Sequence, residues 1–268
     1  MTRRDPTRGR PEIVVFGRHP VEEALASEGV DVLAVAVART RPAAERKSLR
    51  RLAAERAIPV EELSRDALTQ WTGAPRHDQG LAARVRLRRV LELDAFVDGL
   101  KGRAARRPVR VLGLDGVTNS QNVGMVVRSV VGAGLDAFLW PLEGQPWVNG
   151  LVVRAAAGAI FECPIVVCDS LASGVAQLQG AGFVAFGLTA DAPTSLFAHP
   201  TPHRALFVLG SESEGLSHEV RSQLDLAVAI PMAGRLESLN VAVAAGLVCF
   251  HAAGLLAIPP IVQREGSD

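Results

Sequence analysis

Residues 205–217, "ALFVLGSESEGLS", carry an apolar run to a glycine and then into a short loop holding two glutamates. A run of this length, closed by glycine, reads as a strand buried on both faces. Gly210 and Gly215 have the spacing of the phosphate-cradling loop G-x-x-x-x-G-K-[ST], and Ser217 matches its last place. Leu216 stands where the lysine belongs, and Glu212 and Glu214 would repel a phosphate. The strand-end loop is built for some other ligand.

The same kind of run recurs on both sides. "VRVLGLDG", "DAFLWP", "CPIVVC", "FVAFGLT" and "LAVAIPM" alternate with helical patterns such as "VGMVVRSVVGAG" and "LNVAVAAGLVCFHAAGLL". This predicts an α/β domain over 108–268, with a predominantly parallel sheet covered by helices on both faces. Ligands then belong at the carboxyl ends of its strands. G-x-G-x-x-G occurs nowhere, which disfavours a nicotinamide enzyme.

Residues 12–88 form a second, smaller α/β pattern. "EIVVFG", "DVLAVAVA" and "GLAARVRL" read as strands, and "PVEEALAS" and the stretch 42–57 as helices. The charged, breaker-rich "LKGRAARRP" marks 89–107 as a linker, and 1–11 reads as a flexible basic tail. The chain has 268 residues and a net charge of +1, which conceals a division. Residues 1–107 hold 22 Lys and Arg against 15 Asp and Glu, for +7; the remainder holds 7 against 13, for −6. A basic module for a polyanion joined to a module for something else fits that asymmetry, as does a helix with a solvated basic face.

A hydrophobic content of 48% excludes a disordered chain. No apolar stretch is long and charge-free enough to span a bilayer, and the N-terminus lacks a signal peptide's apolar core. Cys163, Cys168 and Cys249 show neither a paired framework nor zinc spacing. These features predict a soluble cytoplasmic protein with reduced thiols and no metal.

Three strand-end segments hold the unusual residues. In "DGVTNSQNVGMVVRSVVGAG", 115–134, Asn119 or Ser120 can cap the helix and Asn122 lies in the entering turn. Gly124 leaves the backbone open to close approach. Arg128 is the sole cation of the helix's apolar stretch, either a surface arginine or a phosphate clamp reaching back towards Asn122. The second segment is the loop 210–217. In the third, "IPMAGRLESLNVAVAAG", 230–246, Ser238 and Asn240 mark a helix start, as caps or as ligand contacts.

Together the three resemble the SpoU/TrmH family of RNA ribose 2′-O-methyltransferases, of the knotted SPOUT superfamily. The first resembles N-x-G-x-x-x-R through Asn122, Gly124 and Arg128. The second resembles G-x-E-x-x-G-L through Gly210, Glu212, Gly215 and Leu216. The third resembles I-P-M-x-G-x-x-x-S-L-N-V through Ile230, Pro231, Met232, Gly234, Ser238, Leu239, Asn240 and Val241. "FGRHPVEEAL" and "HDQGLAARV" resemble the family's N-terminal substrate-binding domain. Ser213, Ala242 and "TNSQN" depart from common family residues.

The resemblance implies a deep trefoil knot that binds S-adenosylmethionine, lined by Leu209, Gly210, Ile230, Met232 and Leu239, with Thr189 added. It implies methyl transfer to a ribose 2′-oxygen of structured RNA, ribosomal in first place and transfer RNA as an alternative. Arg128, Asn122, Glu212, Ser238 and Asn240 form the catalytic set, and a homodimer completes the site. Arg18, His19, His77 and Gln79 are the candidate RNA contacts. A non-catalytic RNA-binding or ribosome-assembly protein on the same fold is the reading of another class.

Overall fold

The computed structural model describes residues 12–101, 107–198, 200–234 and 238–256. The expected basic tail, 1–11, lies outside them. Chain order begins with β1 (Ile13–Phe16), α1 (Arg18–Ala26), β2 (Val30–Ala38), α2 (Ala43–Ala54), β3 (Val60–Leu63), α3 (Arg65–Thr72) and β4 (Leu81–Leu87). These make a four-stranded sheet of order β1-β4-β2-β3, antiparallel except where β2 meets β3. β3 and α3 were not anticipated. β3 is half-exposed "VEEL", and α3 is short and polar, so neither carries a long apolar signature.

The chain continues with β5 (Val90–Glu92), α4 (Leu93–Leu100), β6 (Val109–Asp115), α5 (Ser120–Ala133), β7 (Ala137–Pro141), α6 (Gly150–Ala156) and β8 (Ile165–Cys168). It ends with α7 (Leu171–Gly180), β9 (Val184–Leu188), β10 (Arg204–Gly210), α8 (His218–Arg221), β11 (Leu226–Val228) and α9 (Val241–Ala252). The second sheet has seven strands in the order β11-β9-β10-β6-β7-β8-β5, every neighbouring pair parallel. The apolar runs look continuous in sequence because both sheet faces are buried. Within them, alternate residues serve different cores. Leu112, Leu114, Phe207 and Leu209 pack with α5, α6 and α9. Val111, Leu206 and Val208 pack on the opposite face with α7 and α8.

The stretch 89–107, expected as a linker, is partly regular structure. β5 is the sheet's edge strand, paired with β8 through Val90↔Ile165, and α4 packs on both. Three residues are too few to show a period, so only the sheet reveals this strand. The strand expected from "LAVAIPM" stops at Val228, and Ile230–Met232 runs out into a loop. β11 is an edge strand, and Pro231 has no N–H to extend the ladder.

The two parts of the chain share one core. Buried Val15, Val21 and Val85 belong to the same apolar cluster as Val152, Ile160 and Phe161. Phe16 lies so close over Gly150 that a Cβ there would come within 1.9 Å of its ring. Ser27 donates to Glu162 at 3.1 Å, and Arg89 pairs with the same carboxylate at 2.8 Å.

Candidate active site

Because all seven strands are parallel, their carboxyl ends lie along one edge of the sheet. The loops after β9, β10 and β11 meet there around a cavity of about 270 Å³. That is near the lower edge of the size range of small-molecule sites. Its lining includes Thr189, Leu209, Gly210, Ile230, Met232 and Leu239, all six residues expected around a cofactor, together with Glu212 and Ser238. Leu188, Leu216 and Val241 make the wall apolar, while Asp191, Glu212 and Glu214 bring negative charge to it. Arg221 stands at the same cavity but is held by Asp191 at 3.0 Å, and this pairing, foremost, keeps the Asp191 carboxyl below its ordinary range.

The loop after β10 is closed upon itself. Ser211 and Gly215 exchange backbone bonds at 3.1 and 3.0 Å, and Gly215 takes a φ of +68°. A Cβ on Gly210 would lie 2.0 Å from the Gly215 carbonyl carbon, so the loop can close only over glycine. Ser213 is exposed and has no positive φ; the departure from glycine there introduces no left-handed strain. Asp115 at the end of β6 accepts from the Ser217 amide at 2.6 Å and ties the loop to the neighbouring strand. The Ser211, Glu214 and Gly215 amides thus bond within the loop and the Ser217 amide bonds Asp115, so none of these four is free to cradle a phosphate.

Glu212 links this loop to two helix starts. One of its oxygens, Oε1, accepts from Asn122 Nδ2 at 2.6 Å, from Asn240 Nδ2 at 3.0 Å and from the Val241 amide at 3.4 Å. Asn240 Nδ2 also donates to Asn122 Oδ1 at 3.2 Å, closing a triangle among residues 90 and 118 positions from Asn122. Asn240 caps α9 through Oδ1 on the Ala242 amide, and Asn119 caps α5. A carboxylate at the start of α9 is favoured by the helix dipole. Asn122 is buried, 7% exposed, so its side-chain orientation is fixed by these bonds.

Arg128 is not part of the triangle. Six residues beyond Asn122 on α5, it is turned by roughly 120° from it about the helix axis. It is exposed and makes no hydrogen bond or ion pair among the described residues. Ser238 is exposed at the cavity and is not the cap of α9. Gly124, expected to admit a close approach, does so to α6: a Cβ would fall 2.5 Å from Ala155 Cβ and 2.6 Å from the Val152 carbonyl. Its smallness serves helix packing.

The candidate RNA contacts gather where the two parts of the chain meet. Gln79 Oε1 accepts from the Arg18 amide at 3.0 Å, so its side chain completes the start of α1. Arg18 pairs with Glu22 at 2.8 Å, and His19 is exposed beside it. His77 Nδ1 lies 3.0 Å from Arg154 Nη1 of α6. Their turn is held by Asp78, which sequence reading passed over. Fully buried, it accepts from Arg65, from Thr72 Oγ1 at 3.2 Å and from the Gly80 amide at 2.8 Å. Several of the basic residues are already paired, although the net surplus of the N-terminal half remains. Glu62 takes Arg46 and Arg50, Glu12 takes Arg86, and Asp31 takes Arg88. Asn149, also missed, caps α6 and donates to Ser120 Oγ at 3.2 Å; an asparagine just before "GLVV" was a readable cap signal.

The three cysteines are buried and unbridged, as expected. Among the described residues no helix is long and apolar enough to cross a membrane, and no group of three His, Cys, Asp or Glu could hold a metal ion.

Residues 109–250 match the SpoU rRNA Methylase family, and residues 14–90 match the RNA 2′-O ribose methyltransferase substrate-binding family. The chain is 36% identical over 203 residues to the 23S rRNA (guanosine-2′-O-)-methyltransferase RlmB of Xylella fastidiosa, covering 75% of this chain and 79% of that one. It shares its fold with the SpoU methyltransferase AviRb of Streptomyces viridochromogenes, solved in complex with AdoMet. That likeness has a TM-score of 0.69 at 24% identity, covering 91% of this chain and 89% of the other. An AdoMet-bound rRNA methyltransferase of Sinorhizobium meliloti gives a TM-score of 0.69 at 21% identity, covering 92% and 88%.

Proposed function

The chain belongs to the SpoU rRNA methylase family, and from that membership we propose that it methylates a ribose 2′-hydroxyl of large-subunit ribosomal RNA, with S-adenosylmethionine as donor. The observation that carries the reading is the cavity at the ends of β9, β10 and β11, lined by all six expected cofactor residues and joined through Glu212 to Asn122 and Asn240. Its chemistry suits the donor. Apolar side chains and closely approaching glycine backbone meet an adenosine, carboxylates tolerate a sulfonium, and no lysine is present to ask for phosphate.

When bound, S-adenosylmethionine supplies an electrophilic methyl group on an excellent leaving group, so the protein's task is to orient a weakly acidic hydroxyl and manage its charge. Glu212 holds the Asn122 and Asn240 amides in one arrangement, which fixes the two helix starts at the edge of the site. Arg128 supplies a planar guanidinium fork that clamps the adjacent phosphate and stabilises developing oxyanion charge. Ser238, at the cavity rim, assists in placing the nucleotide.

Arg128 meets that chemistry in a homodimer. α5 and α9 run side by side, a Cβ on Gly246 falling 3.6 Å from Ser129 Oγ, and they expose Met125 and Val243, 40% and 54% accessible, with Arg128. Apolar side chains with an arginine that has no partner among the described residues support this face as the contact between two copies. The family's trefoil knot belongs to the same reading, as does a cytoplasmic setting with ribosomal RNA.

The test is single-turnover transfer to unmethylated 23S transcript. Arg128→Ala is expected to lower the rate by about 10²- to 10³-fold, with the dimer and cofactor affinity kept. Arg128→Lys should recover little if the planar fork matters. A wild-type rate in the alanine variant would remove Arg128 from the mechanism, and no transfer by the wild type would refute the activity.

A further inference from the structure

The same reading gives the RNA a place that the motifs touch only through His77. Between the N-terminal turn 72–77 and the start of α6 lies a cleft of about 490 Å³, lined by Phe16, Thr72–His77 and Asn149–Leu151. Its floor is rigid: buried Phe16 sits against Gly150 with no room for a further methyl. One wall presents Leu151, 45% exposed, and Pro75.

One cation, Arg76, lines the cleft, and a second, Arg154, stands beside it on the lining residue His77. Arg76 is exposed and has no partner among the described residues. Arg154 uses one of its five N–H donors on His77 Nδ1, at 3.0 Å. No carboxylate belongs to the lining. This contrasts with the paired arginines of α2, whose charge Glu62 already takes. The cleft also adjoins the candidate active site, because Asn149 bonds Ser120, which stands two residues before Asn122 at the start of α5.

We propose that this cleft is a nucleotide subsite, holding a residue of the RNA strand that flanks the methylated ribose. Its phosphodiester lies against Arg76 and Arg154, and its base lies against Leu151 and Pro75. The proposal rests on the RNA-methylating reading above and adds that both halves of the chain grip the strand. Arg154, in the acidic half, is then an RNA contact, and His77 positions its guanidinium by accepting from it.

Binding of unmodified 23S transcript to the full-length protein, measured between 50 and 200 mM salt, tests this. Arg76→Gln and Arg154→Gln should each raise Kd and reduce the log–log salt slope by about 0.7, and together by about 1.4, as expected for single-strand phosphates. Leu151→Asn should raise KM for RNA, and calorimetric affinity for S-adenosylmethionine should be unchanged in all three. His77→Ala separates the alternatives: it breaks the bond between the halves yet keeps the Arg154 charge. A salt slope that stays at the wild-type value in Arg154→Gln, with both Arg154→Gln and His77→Ala merely lowering Tm, would overturn the proposal and leave the pair a link between domains. A wild type that binds the transcript but transfers no methyl group would instead refute the proposed function, with the cleft still judged by these slopes.

Discussion

Replacing Glu212 by alanine takes away the one oxygen on which Asn122, Asn240 and the Val241 amide converge. The cost is uneven. Asn240 is exposed and can turn its amide to water, and the Val241 contact is long at 3.4 Å, so neither contributes much. Asn122 is buried, and its Nδ2 would lose a charge-assisted bond of 2.6 Å; an orphaned buried donor costs about 1–3 kcal/mol. The expected loss of unfolding free energy is about 2–3 kcal/mol, or about 4–12 °C in Tm for a chain of this size. Glu212→Gln keeps an acceptor oxygen without the charge and should lose about 1 kcal/mol, half or less of the alanine effect. Urea unfolding of the three proteins, with methyl transfer measured in parallel, checks the order. The reasoning fails if alanine stays within about 0.5 kcal/mol of wild type, within the ordinary range of surface substitutions, or if glutamine is the worse variant.

Gly124→Ala should be destabilising by about 1–2 kcal/mol in denaturant unfolding. The gain of about 1 kcal/mol in helix propensity is outweighed by a methyl driven against Ala155 and the Val152 carbonyl; greater stability would mean that α5 and α6 separate freely. Burial pushes the Cys168 and Cys249 thiols up to about 12, and Cys163 higher still, so the folded protein should resist thiol reagents at pH 8 and expose three thiols in urea. The sign follows: thiols raised above their unfolded value stabilise fully below about pH 8.5, and the unfolding free energy should fall as pH rises past it. Burial lowers His251 from 6.5, so acid titration should cost further stability below about pH 6.5, a loss His251→Gln should reduce.

Local chemistry was legible in the chain because it is written in consecutive residues. Runs such as "ALFVLG" declared buried parallel strands, and glycines 210 and 215 with leucine in place of lysine declared a loop that does not cradle phosphate. The family resemblance carried by such short segments named six of the residues that line the cavity. Tertiary structure decided what meets across the sequence. Glu212 and Asn240 reach Asn122 only because β10 lies beside β6 and α9 packs beside α5, an arrangement set by which apolar faces bury one another. The same packing made an edge strand of three residues inside an expected linker and turned Gly124 from a ligand approach into a helix contact. It also left Arg128 outside the triangle, and brought Arg154 to His77 across the seam of two domains. Periodicity tells each segment which side to bury; only the folded chain settles against what.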